Sequence, residues 1–145
     1  MTKKFVAVLN KSADPQKLFN ALGHISVGLA GNTSQSEEMG FLSYFDAGNN
    51  EYPNISKYPF IVLKGNGSKI KQFRRDLIAN NIPYSCFLNT MITGGSEVQV
   101  ATTKSTSADE LEILAIVTFS ERFILDPLTK KFSVWTLKAE ESENV

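Results

Sequence analysis

KFVAVLNKSADPQKLFNALGHISVGLAG, residues Lys4 to Gly31, is the stretch whose reading decides the fold. Phe5 to Leu9 is a continuous apolar run rich in β-branched and aromatic residues. Such a run reads as a strand buried on both faces, hence central in a sheet that helices cover. Ser12 or Asp14 then supplies an N-cap, and Pro15 suits the first helical position. Leu18, Leu22, Ile25 and Leu29 recur at helical spacing, and Gly31-Asn32 supplies a stop. Gly23 and Gly28 each cost this helix roughly 1 kcal/mol against alanine. Their presence predicts a backbone that closely approaches something: the sheet, a partner subunit or a ligand.

Outward from this unit the alternation continues. Thr33 to Gly40 reads as a polar loop. FLSYFD (Phe41 to Asp46) reads as a strand followed by the turn AGNN, so that Phe41 to Tyr58 forms an added strand or hairpin. Pro59 to Lys64 is a second buried strand, closed by Gly65-Asn66-Gly67. Ser68 is expected to cap a helix reaching about Asn80. Ile70, Phe73, Leu77 and Ile78 form its inner face, and Lys69, Lys71, Arg74 and Arg75 its outer one. PYSCFL (Pro83 to Leu88) is a third strand. Asn89 to Thr106 has no clear period and reads as a polar loop with a short helix or irregular strand. Leu111 to Phe119 is a further buried strand and Glu121 to Asp126 a short helix that Pro127 breaks or restarts. Phe132 to Leu137 is an edge strand or packed tail. The order predicts one three-layer α/β/α domain over residues 1–138, with a mixed, mostly parallel sheet of four or five strands. Residues 139–145 form an acidic end expected to fray.

Fifteen basic residues balance fifteen acidic ones, which argues against a protein that coats nucleic acid or membrane by bulk charge. The single cysteine, Cys86, excludes an internal disulfide, fits a reducing compartment and reads as a small buried hydrophobe. The apolar run near the N-terminus is too short for a signal peptide, and nothing approaches a membrane span. The expectation is a soluble cytoplasmic domain.

In α/β sheets ligands sit outside the carboxyl ends of the strands. That puts Asn10 to Lys17, Lys64 to Ser68 and Asn89 to Gly95 on the functional edge. His24 is the sole imidazole, so a multi-histidine metal site is excluded and Cys86 cannot complete a zinc site. No metal and no cofactor are expected. His24 either reaches a cleft or hydrogen-bonds within the helix packing. Lys17 lies seven residues before it, about two turns, on the same face, and Asn20 lies near that stripe. A lysine in a first helical turn runs against the macrodipole, a local violation of the kind functional sites carry. Gly94-Gly95, flanked by Thr90, Thr93 and Ser96, is either a flexible loop or one that binds phosphate or carbonyl groups through backbone N–H. It lacks the Walker and dinucleotide spacings. The basic face of the second helix either tracks phosphates or is simply solvated.

The opening stretch resembles the first strand and helix of the type-2 peptidyl-tRNA hydrolases, whose helix carries a lysine seven residues before a histidine. The order PFIVLK, SKIKQFRRDLIANN, PYSCFL, polar loop, late apolar strand and short helix is similar too. A closer resemblance is to an uncharacterised bacterial family of small proteins sharing that fold. It rests on Asn20-x-x-x-His24, on Thr93-Gly94 and on the ending DPLTKKFSVW. These resemblances imply a homodimer that hydrolyses peptidyl-tRNA or a related acyl ester. Lys17, His24, Asn89 and Thr90 would be catalytic, and Lys11, Asn20, Thr93 and Gly94 would lie around the substrate. The chain departs from the enzymes at Ala21, where they have glutamine, and at Asn89-Thr90, where they have an acidic residue. Asn and Thr orient a water but do not take its proton near neutral pH. The alternative is a non-catalytic binding module that uses the same cleft for a small ligand, an RNA end or a protein partner.

Overall fold

The structure, a computed structural model, describes residues 2–137, and the acidic tail at 139–145 lies outside the described residues. Strand β1 (Lys3–Asn10) is the centre of a five-stranded sheet. Its apolar run is buried along its whole length, as its composition demands. The sheet is completed by β4 (Phe60–Gly65), β5 (Tyr84–Leu88), β6 (Ile113–Glu121) and β7 (Ser133–Val134), in the order β5-β6-β1-β4-β7.

The sheet is mixed but not mostly parallel. Only β1 and β4 run parallel, whereas β1–β6, β5–β6 and β4–β7 are antiparallel. A strand covered on both faces has the same apolar run in either direction, so the sequence carried no signal for this. β7 is the short edge strand expected of the region around Phe132 to Leu137, and Trp135 N–H extends its pairing to the Val62 carbonyl.

Alternate residues of β1 feed two cores. Phe5, Ala7 and Leu9 pack with Leu18, Ala21, Ile25 and Leu29 of helix α1 (Pro15–Ala30). Val6 and Val8 pack with Ile70, Phe73 and Leu77 of helix α3 (Gly67–Ala79), and with Leu125 of helix α5 (Arg122–Thr129). Ile78, expected on the inner face of α3, is exposed. Asp14 caps α1 by accepting from Gln16 N–H. Asn66, and not Ser68, caps α3, because its side chain accepts from Lys69 N–H at 2.9 Å and reaches a donor three residues on. Gly28 accounts for one of the two costly helix glycines. A Cβ there would stand 3.0 Å from Ser85 Oγ on β5, while nothing lies within 4 Å of one at Gly23.

Two further departures have tertiary causes. Thr33 to Gly40 is not a loop but helix α2 (Thr33–Ser36) and a 3₁₀ turn at Glu37–Met39, whose Met39 is fully buried. Helix α5 runs through Pro127 to Thr129. Its Leu125 and Thr129 are both buried, the Thr129 hydroxyl donates to the Leu125 carbonyl, and Asp126 pairs with Lys4 of β1. That pair neutralises a lysine only 8% exposed inside the sheet. The Lys4 hydrogen bond also holds the Asp126 carboxyl below its usual range.

Phe41 to Tyr58 forms the added hairpin, β2 (Phe41–Phe45) and β3 (Glu51–Ser56), as a separate two-stranded sheet. Asp46 organises its turn, accepting from Gly48 and Asn50 N–H, the Asn50 amide and the Tyr52 hydroxyl. The Asn50 and Tyr52 side chains hold the Asp46 carboxyl down to about 2, and the same bond raises Tyr52.

Two outcomes are expected. A Cβ at Gly65 would run into the Phe132 ring, so Gly65→Ala should destabilise the domain by roughly 1–3 kcal/mol in chemical denaturation. A depressed carboxyl stabilises the fold above its unfolded value and ceases to do so as pH falls through the folded one. Carboxyl-resolved NMR should therefore find the Asp46 midpoint near 2, with hairpin amide protection lost between the ordinary 3.8 and that value. A midpoint at the ordinary value would refute the turn geometry.

Candidate functional site: a cleft at the carboxyl edge of the sheet

Because β5 is antiparallel to β6, and β6 to β1, strands β1, β4 and β5 all point the same way. Their carboxyl ends, Asn10, Gly65 and Leu88, fall on one edge, and the three segments expected to carry function follow them. Asn10 fixes the exit of β1. Its buried side chain donates to the Ile113 carbonyl at 3.2 Å and accepts from Ser12 N–H at 3.0 Å. Ala13 N–H closes the turn on the Asn10 carbonyl, and α1 begins two residues later with its first turn beside the end of β5.

Between them lies a cleft of 290 Å³ lined by Asp14, Gln16, Lys17 and Asn20 from α1, Phe87 from β5, and Ile92 beyond it. Lys17 and Asn20 are exposed there, and among the described residues the Lys17 ammonium has no hydrogen-bond or ion-pair partner. His24 is also exposed and not sealed in the helix packing. Its ring centroid lies 6.1 Å from that of Phe87, which places the imidazole on the flank of the cleft and not in its lining. Helix α1 thus brings Lys17 and Asn20 together in the cleft, with His24 one turn further along.

The far side differs from expectation. Asn89 works as a splice between segments. Its backbone N–H donates to the Glu112 carbonyl and its Oδ1 accepts from Glu112 N–H, both at 3.0 Å. The Thr90 hydroxyl pairs with that of Thr103 at 2.6 Å, and Thr103 in turn donates to the Gln99 carbonyl in helix α4 (Ser96–Lys104). Neither side chain lines the cleft. Thr93 and Gly94 are exposed outside its lining, and their carbonyls accept from the Gln99 side chain. Gly94 has φ +82, so the glycine serves backbone conformation. Lys11 is exposed at the start of the β1–α1 connection, where its backbone N–H donates to the Gly65 carbonyl.

Phe87 and Ile92 form the apolar floor and Asp14 lines the cleft as well as capping α1, roles that the sequence did not signal as a site. Strand alternation carried the signal for Phe87, since Ser85 and Phe87 must share the face beneath α1. Among the described residues no group of His, Cys, Asp and Glu is placed to hold a metal ion. None of their helices is long and apolar enough to cross a membrane.

Fold and site define a three-layer α/β domain with a polar-rimmed, apolar-floored cleft at the carboxyl edge of a mixed sheet. The chain belongs to the family described as protein of unknown function (DUF2000), which matches residues 3–136. It is also similar to the solved structure of a protein of unknown function, Atu0240, from Agrobacterium tumefaciens strain C58. The TM-score is 0.80 over 94% of this chain and 99% of that one, at 18% identity, a likeness of fold. No curated protein matches the sequence.

The splice role of Asn89 has a measurable consequence. Asn89→Ala should cost roughly 1–2 kcal/mol of stability, the loss of its side-chain bonds to the 110–112 segment. Unchanged stability in denaturant would return Asn89 to the list of groups free to serve a ligand.

Proposed function

We propose that the protein is a binding module for an acyl ester of the kind that the aminoacyl end of a tRNA presents, held in the Lys17 cleft without being hydrolysed. One observation carries this reading. Lys17 and Asn20 stand exposed over Phe87 and Ile92, while the two side chains that would orient a water, Asn89 and Thr90, are engaged in hydrogen bonds elsewhere. An unpaired ammonium suits a carbonyl or phosphate oxygen, Asn20 supplies both a donor and an acceptor, and the apolar floor suits an acyl side chain. His24 on the flank suits a more distant part of the ligand.

The hydrolase reading keeps one supporting observation. Asp14 lines the same cleft, and only one of its oxygens is used in capping α1. A carboxylate can accept a water proton where Asn and Thr cannot.

Purified protein mixed with N-acetylaminoacyl-tRNA separates the two. Saturable binding, about tenfold weaker in Lys17→Ala, is expected, with ester cleavage no faster than in that variant. Cleavage that falls in both Lys17→Ala and Asp14→Asn establishes the hydrolase instead. Binding indifferent to Lys17→Ala and His24→Ala removes the cleft from consideration.

A further inference from the structure

The two faces of β5 are covered unequally. Ser85 and Phe87 lie beneath α1, with Ser85 against Gly28. Tyr84, Cys86 and Leu88 face the other way, where α3 packs over β1 and β6 and leaves a gap over this edge strand that the Arg74 side chain reaches. The gap is a cleft of 390 Å³, within the range of small-molecule sites. It lies on the opposite face of the sheet from the Lys17 cleft and is independent of the reading given to that cleft.

One wall is α3, where Lys71, Arg74 and Arg75 recur three and four residues apart and share a face. The floor is Cys86, Leu88 and Ile113, and the opposite wall, formed by Ala108, Asp109 and Leu111, lines the cleft with one carboxylate, Asp109. Burial pushes the Cys86 thiol up to about 12, so the floor is neutral at physiological pH. The Arg74 guanidinium lies 5.7 Å over the Tyr84 ring and its Nε donates to the Tyr84 hydroxyl at 3.0 Å. This fixes its plane and leaves the two terminal nitrogens without a partner among the described residues. Lys71 reaches across the cleft toward the Ala108 carbonyl at 3.3 Å.

Among the lining residues three cations face one carboxylate, an excess of positive charge, with Arg75 also donating to the Gln72 amide oxygen and lying near the Asp76 carboxylate. A phosphate monoester approaches two negative charges at neutral pH, and guanidinium forks match its oxygens. We propose that this cleft binds a small organic phosphate monoester, with its phosphate held by Lys71, Arg74 and Arg75 and its apolar body on Cys86, Leu88 and Ile113. A surface that tracks a nucleic-acid backbone is an open stripe of cations; here the 108–111 wall stands across the basic face and closes it.

Phenyl phosphate, titrated into the full chain and followed by amide NMR, is the test. Saturable shifts confined to residues 71–75, 84–88 and 108–113 are expected, with inorganic phosphate at least about tenfold weaker for want of the apolar body. Arg74→Ala and the stem-preserving Lys71→Gln should each weaken phenyl phosphate about tenfold, while their melting temperatures stay near that of the wild type. The proposal is overturned if phenyl phosphate gives no saturable shifts, if they map elsewhere, or if inorganic phosphate binds equally well. It is also overturned if a short single-stranded RNA displaces the probe, since the face would then be an RNA track.

Discussion

The burial of β1 on both faces is the constraint on which the rest of the molecule depends. Val6, Ala7 and Val8 have no solvent exposure, and full burial of a valine side chain is worth about 1.5–3 kcal/mol. To achieve it the chain must supply a neighbour on each edge of β1 and a helical layer above and below. β4 and β6 provide the first, α1 and the α3–α5 pair the second. Polar groups bracket the run at both ends. At its entrance Lys4 is neutralised by Asp126, and at its exit Asn10 is satisfied by the Ile113 carbonyl and Ser12 N–H. That second bracket aims α1, so the position of Lys17 follows from the satisfaction of one buried amide.

What could be read from the residues divides along a physical line. Elements with strong periods were legible: the run Phe5 to Leu9, the stripe Leu18–Leu22–Ile25–Leu29, and the inner face Ile70–Phe73–Leu77. Strand direction was not legible. The segment joining β5 to β6 is long enough for a crossover, yet it returns antiparallel with α4 lying within it. Helix α2 is one turn long and has no period to detect. It is held by distant residues: its Gln35 side chain donates to the Phe119 carbonyl, and the turn that follows it buries Met39 in the cluster that contains Phe119 and Tyr58. Helix α5 survives its proline because Leu125 and Thr129 are anchored, a tertiary override of local propensity.

The cleft shows the same division. Lys17 and Asn20 are separated by one turn of a single helix, so their meeting needed only helical geometry. Asn89 and Thr90 are partnered by residues 23 and 13 positions later, and nothing local reports that their side chains are occupied. Candidate groups in a short 3₁₀ turn such as Asn89–Met91 are therefore the least legible part of a site, since their availability is decided by segments that sequence proximity does not reveal.

The hairpin β2–β3 enters and leaves the domain through neighbouring points. Lys57 N–H donates to the Gly40 carbonyl at 2.9 Å, and the Ser56 hydroxyl bonds the Met39 carbonyl. Met39 on one side and Tyr58 on the other are the last residues packed into the main core. The arm is thus an appendage with a closed base, and its length is a variable that the sheet does not constrain. A chain that shortened the arm to a tight turn between Gly40 and Lys57 would leave every strand of the five-stranded sheet, and both clefts, untouched. In evolutionary terms the domain carries a module that it can gain, lose or exchange without refolding.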